Sequence, residues 1–188
     1  MRVKVLLLAV FAFVAMNVNG QELKFGAKAG LNVSNFTGSD ANTKSKMGFH
    51  FGAFAQYGFS EALYLQPELL LSFEGGKDKD NDNKVLSVTY LNVPVMVGYK
   101  IGSISIEAGP QIGFLLGAKY DGESEFMGVK VKDQFKSTNF SLNLGAGYAI
   151  SENIGVGVRY CIGLANVSDN SGTDFKTSNF QVSLGYKF

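Results

Sequence analysis

The 188-residue chain has one cysteine, Cys161, and only three prolines. A single cysteine excludes a disulfide framework, so rigidity must come from backbone pairing or packing. Few prolines beside 23 glycines exclude a disordered Gly/Pro-rich chain and favour β structure with crowded positions. Neither sign of charge is in excess, with 17 basic residues against 16 acidic ones. The basic footprint of a nucleic-acid-binding protein is therefore missing, and no nucleic acid is expected as a partner. No apolar run reaches the roughly 20 residues of a membrane-spanning helix. At 46% hydrophobic residues, the composition is also too dilute for a helical membrane protein. Beyond residue 20 no helical period of any length appears.

What is present begins with a secretion signal. Arg2 and Lys4 form a short positive start, and an apolar run from Val5 to Met16 follows. Val18 and Gly20 then precede Gln21 and Glu22. The run suits a signal peptide and is too short for an anchoring helix. Cleavage is expected after Gly20, giving a signal peptide at 1–20 and one domain at 21–188. Without Arg2 and Lys4 the mature chain carries 15 basic and 16 acidic residues. With no cysteine near the cut, a lipid-anchored form is not expected.

Period two dominates the mature region. Leu23, Phe25, Ala27, Ala29, Leu31 and Val33 alternate with Lys24, Gly26, Lys28, Gly30, Asn32 and Ser34. The same alternation marks strands at 23–34, 47–59, 63–74, about 86–100, 103–120, 138–150, 154–165 and 179–188. Each is long enough for the roughly 9–11 residues of a tilted membrane strand. Tight turns at Ser60–Ala62, Ile101–Gly102 and Ser151–Asn153 alternate with longer polar loops at 37–46, 75–84, 121–137 and 166–178. Short periplasmic turns and longer outside loops are the asymmetry of small outer-membrane barrels. The fold expected is all-β, an eight-stranded antiparallel up-and-down transmembrane β-barrel with periplasmic termini.

Alternation alone does not say which face points outward. A soluble lipocalin-like barrel would turn its apolar face inward around a ligand. The glycines decide. Fifteen of the 23 fall in the strands, and all fifteen, Gly117 among them, are expected on the more polar face. An eight-stranded lumen is barely wide enough for side chains, so inward positions must often be small. The opposite face is nearly free of charge, and in water it would be an aggregation hazard. In a bilayer it is the coat that meets outer-membrane lipid. Aromatics gather near strand ends: Tyr57, Phe59, Tyr99, Tyr148, Tyr186 and Phe188 at the turns, Phe49, Phe73, Tyr120, Phe140 and Phe180 toward the loops. Such girdles suit the two interfaces.

The chain resembles the PorT-like outer-membrane β-barrel family. The carriers are Phe25-Gly26-Ala27-Lys28-Ala29-Gly30-Leu31-Asn32, Tyr64-Leu65-Gln66-Pro67-Glu68-Leu69, Tyr90-Leu91-Asn92-Val93-Pro94, Glu107-Ala108-Gly109-Pro110, Leu144-Gly145-Ala146-Gly147-Tyr148, Arg159-Tyr160 with Gly163-Leu164, and Gly185-Tyr186-Lys187-Phe188. The resemblance implies an outer-membrane location and a barrel of this size. The named member takes part in protein secretion, and that role is not carried over. Terminal Phe188, with Tyr186 on the same face, looks like the signal read by the barrel assembly machinery, an expected partner.

Candidate chemistry lies on the inward face, which is expected to hold Lys24, Lys28, Glu68, Glu74, Glu107, Lys119, Arg159 and Lys187. Counted from the nearest turn or terminus, Lys28, Glu68, Glu107 and Arg159 stand at similar depth. They are expected to form a charge-paired plug, with Gln56, Gln66 and Gln111 completing hydrogen bonds, because unpaired charges in a narrow bore are costly. A general diffusion pore needs about 16 strands to leave an aqueous channel, and eight should not leave one. Asp78, Asp80 and Asp82 have calcium-loop spacing, but the pattern lacks its Gly and its bidentate Glu. His50, the one histidine, has no nucleophile and orienting partner in any motif, and Cys161 reads as a small filler. No enzyme activity and no cofactor are expected. The function expected is envelope-structural, or binding of an extracellular ligand or envelope protein through the outer loops, with a secretion accessory as the alternative.

Overall fold

The structure, a computed structural model, describes residues 23–38, 43–79, 84–121, 123–126, 129–168 and 175–188. The strands are β1 (Leu23–Thr37), β2 (Thr43–Gly58), β3 (Leu63–Asp78), β4 (Val85–Ile101), β5 (Ile104–Tyr120), β6 (Glu125–Phe126), β7 (Val129–Lys130), β8 (Thr138–Ala149), β9 (Ile154–Gly163) and β10 (Lys176–Lys187). A 3-10 turn covers Val131–Gln134, and β6 pairs with β7 as a small hairpin beside it. The other eight strands close one barrel in the order β1-β10-β9-β8-β5-β4-β3-β2, with β2 returning to β1. Neighbours are antiparallel throughout, and closure sets Gly26 opposite Lys187 and Thr37 opposite Lys176. The signal segment 1–20 and residues Asp80, Asp82 and Asn83 lie outside the described residues; Asp78 ends β3 opposite Thr43.

Period two becomes two faces. Leu31, Phe49, Phe51, Val97, Ile106, Leu144, Val158, Tyr160, Val182 and Leu184 are exposed on the outside. Asn32, His50, Glu68, Asn92, Gln111, Asn143, Arg159 and Gln181 are buried within. Closing the sheet pairs every strand edge, the condition for placing a backbone in hydrocarbon. The rims carry aromatic contacts. Tyr57 and Phe59 meet edge to face at 5.1 Å and Tyr186 meets Phe188 at 5.7 Å, while Phe49 and Phe73 stack at 4.4 Å toward the loops.

The turns are locally encoded. Gly102 has φ +62° and opens the two-residue link between Ile101 and Ile104, a left-handed position that suits glycine. Ser60 and Ser151 each accept, through Oγ, the backbone N–H three residues on, from Leu63 and Ile154 at 3.0 Å.

One wall is taller than the sequence suggests. Gly75 and Gly76, expected in a loop, belong to β3 because Ser87 and Leu86 of β4 stand opposite them. Strands β2 to β5 span 16 or 17 residues, whereas β8, β9 and β10 span 12, 10 and 12. Pairing partners, absent from any local composition signal, carry these strands through glycine-rich stretches.

A bulge corrects part of the face assignment. Thr89 lies opposite Gly117 while Tyr90 lies opposite Leu115, so Leu116 is an extra residue in β5. One added residue inverts every later side chain. Ala118 consequently points into the barrel and is 5% exposed. Lys119, expected inside, is exposed, and Gly117 moves to the outer face. Tyr120, expected in the outer girdle, packs against an interior cluster instead. Ala118→Asn should therefore cost about 2 kcal/mol in urea unfolding, for burying an amide without partners. Lys119→Asn should change stability by less than about 0.5 kcal/mol. The reverse ranking would mean that alternation runs unbroken through β5.

That interior cluster closes the loop end. Phe36, Val88, Tyr90, Leu115, Ala118, Val131 and Val167 are buried together, with Leu86, Tyr120, Phe135 and Phe175 packed on them. Phe36 has its ring 6.2 Å from that of Phe135 and 6.1 Å from that of Phe175. The loop backbones are tied in as well: Lys136 N–H donates to Val167 O at 2.8 Å, and Val167 N–H to Phe175 O at 2.7 Å.

Candidate functional site

Below the apolar cap, the bore is crossed by the four charged residues that depth counting singles out. Lys28 stands on β1, Glu68 on β3, Glu107 on β5 and Arg159 on β9. Glycine neighbours leave three of them room to reach across. Lys28 lies opposite Gly52 and Gly185, Glu107 opposite Gly98 and Gly145, and Arg159 opposite Gly145 and Gln181. A Cβ at Gly98 would overlap the Tyr64 ring, so that glycine admits the tyrosine as well.

Glu68 is the hub. Arg159 Nη1 donates to its Oε2 at 2.8 Å and Nη2 to its Oε1 at 2.9 Å. Lys28 Nζ reaches Oε1 at 2.7 Å. Arg159 Nη2 also meets Glu107 Oε2 at 3.0 Å. Two cations and two carboxylates thus balance in a space where an unpaired charge would be expensive. The two-pronged Arg159–Glu68 contact is the strong, orientation-fixing kind of ion pair.

Neutral groups complete the network. Gln66 Nε2 donates to Glu68 Oε1 at 2.7 Å, and Gln56 Nε2 donates to Gln66 Oε1 at 2.8 Å. Gln111 stays apart and accepts from Asn143 Nδ2 at 3.0 Å. Tyr64 Oη donates to Glu107 Oε1 at 2.8 Å. Sequence reasoning missed this tyrosine, although its place among the inward residues of β3, between Leu63 and Leu65, was a usable signal. Glu74 sits nearer the cap and accepts from Ser72 Oγ at 2.7 Å and Asn92 Nδ2 at 3.2 Å.

A second network holds His50. Its Nδ1 lies 2.7 Å from Asn32 Oδ1, and its Nε2 lies 2.9 Å from Ser183 Oγ. Gln181 Nε2 donates to the same Asn32 oxygen at 3.2 Å. With that oxygen accepting, the proton belongs on Nδ1, and Ser183 donates to Nε2. Cys161 is buried and free, between Asn143 and Asn179 on the flanking strands. Tyr186 and Phe188 lie on the outer face at the turn end, where Phe188 N–H donates to Phe25 O at 2.9 Å and its side chain stays 75% exposed.

Residues 5–188 match the family described as outer membrane protein beta-barrel domain. The chain belongs to this family. Its place is the outer membrane, and the apolar outer wall is the surface that lipid covers. Solved structures agree on the barrel. Ail, the attachment invasion locus protein of Yersinia pestis, in complex with the heparin analogue sucrose octasulfate, is 17% identical at a TM-score of 0.57, with 89% of this chain and 99% of that chain covered. Neisserial surface protein A is 15% identical at a TM-score of 0.53, covering 90% of this chain and 100% of that one. At such identities the likeness concerns the fold of this outer-membrane barrel. None of the curated proteins matches the sequence.

Proposed function

We propose that this outer-membrane barrel is a non-enzymatic, non-conducting scaffold that presents its loop end for binding, to an extracellular ligand or to another envelope component. The observation that carries this reading is the apolar cap. Val131, Phe135, Val167 and Phe175 come from two of the long loops, 121–137 and 166–178, and pack into the mouth of the barrel. These anchors fix the described stems of the loops to the barrel, and rigid scaffolds displaying loops are where recognition concentrates. The ion-paired plug of Lys28, Glu68, Glu107 and Arg159 stands across the bore beneath the cap. Ail, with a sulfated sugar analogue bound, supports the idea that such a barrel can carry a ligand.

Ser183, His50 and Asn32 have the order of nucleophile, base and orienting group. Their surroundings favour a structural role. Ser183 is laddered between Gly30 and Gly157, so the neighbouring amides are committed to strand pairing and do not form a free pair for an oxyanion. Placement follows the same reading: residues 1–20 are a signal peptide, the termini are periplasmic, and Phe188 with Tyr186 is the assembly signal. A secretion accessory role rests on the PorT-like resemblance alone, and co-purification with secretion components would favour it.

One set of measurements on cells and purified protein tests this reading. An epitope inserted at 169–174 should be labelled on intact cells, and one after Ser60 only after permeabilisation. Planar bilayers should show no steady current, and a fluorophosphonate probe should leave Ser183 unmodified. Inverted labelling, a sustained current or a Ser183 adduct would each overturn the corresponding part.

A further inference from the structure

We propose that the turn-end half of the bore is a binding pocket for a compact oxyanion, a carboxylate or phosphate group entering from the turn side. The inference goes beyond the loop-binding reading and does not depend on it.

The inward glycines fall into two kinds. A Cβ at Gly52 would overlap Leu69 O, and one at Gly109 would overlap Val95 O. Those glycines let the wall close in on itself. At Gly155, Gly157 and Gly185 the nearest heavy atom to such a Cβ would be 3.4, 3.4 and 3.7 Å away, an ordinary contact. Alanine would fit at all three. These glycines, on β9 and β10, relieve no crowding; they keep a space open.

That space is a cavity of about 130 Å³, with Gly102 and Ser103 of the β4–β5 turn at its rim. A single water takes about 30 Å³ in the liquid, so a group of phosphate size has room. The lining is lopsided in charge. Lys28, Lys100 and Arg159 face it, against Glu107 on the wall and Glu68 beneath. Lys28 gives one hydrogen bond to Glu68, which leaves ammonium protons to spare. The Lys100 ammonium lies 5.3 Å over the ring of Tyr64. Excess positive charge in a recess draws in an anion. The plug provides the floor, and the glycine wall provides the volume.

Purified barrel in detergent, its fold checked by heat-modifiable migration, is titrated calorimetrically with inorganic phosphate and, separately, with acetate. Saturable one-to-one binding with a Kd of about 1 mM or tighter is expected in at least one arm. The arm that responds identifies the oxyanion. Binding should weaken with added sodium chloride. Lys100→Gln should weaken it by about tenfold. Gly157→Leu fills the recess and should abolish binding, whereas Lys132→Gln on the exposed loop should not alter it. Should Gly157→Leu fail to fold, Gly157→Ala replaces it, with weaker binding expected. Absence of saturable binding in both arms, or binding untouched by Lys100→Gln and by filling the recess, overturns the proposal.

Discussion

Glu68→Ala is expected to destabilise the folded barrel by about 3–5 kcal/mol, the cost of leaving a buried charge without its partner. Glu68 is 3% exposed and takes hydrogen bonds from Lys28, Gln66 and both terminal nitrogens of Arg159. Removing it strands two cations in the bore, and Glu107 alone does not neutralise both. Urea unfolding followed by heat-modifiable migration would measure the loss. The double variant Glu68→Gln with Arg159→Gln should recover part of it, with a coupling of about 1–3 kcal/mol between the two sites. Additive single effects would show that the ion pairs are spectators and that the bore is held by its aromatic and amide packing. A wild-type-like Glu68→Ala protein would remove the plug from any account of this fold.

The plug was legible because it needs only two regularities. Alternation assigns Glu68 and Arg159 to one face, and the tight turns at one end of the barrel fix how deep each residue lies. Both hold over the turn-side half of the barrel, where registers run without interruption. The loop-side half was hidden. Leu116 inverts the phase of β5, and a single bulge has no composition signature, so Ala118 and Lys119 exchanged faces. The cap was invisible for another reason. Val131, Phe135, Val167 and Phe175 stand in polar, loop-like stretches, and only the closed barrel brings them to Phe36 and Val88. The glycine count pointed correctly to a narrow interior, yet it merged two meanings. Gly52 and Gly109 permit contact, while Gly155 and Gly157 maintain a void. Spacing along a strand does not separate them; how closely the adjacent backbone approaches does.

The same alternation has its severest test on the outer wall. Val158 stands midway along β9, opposite Ala146 of β8 and Val182 of β10, and all three side chains face outward. In water, Val158→Arg on an exposed strand would be nearly neutral. At the middle of a bilayer it should cost about 2–4 kcal/mol, falling to about 0–1 kcal/mol near the interface, so Tyr186→Arg at the turn-end rim should lose little on this account. Reversible folding into phospholipid vesicles, titrated with urea, would give both values in one series. The contrast between depths carries the argument. A uniform small effect would put Val158 in water, whereas a steep gradient from Val158 to Tyr186 requires a low-dielectric slab around the waist of the barrel, the one solvent in which so much exposed Leu, Val, Ile and Phe is stable.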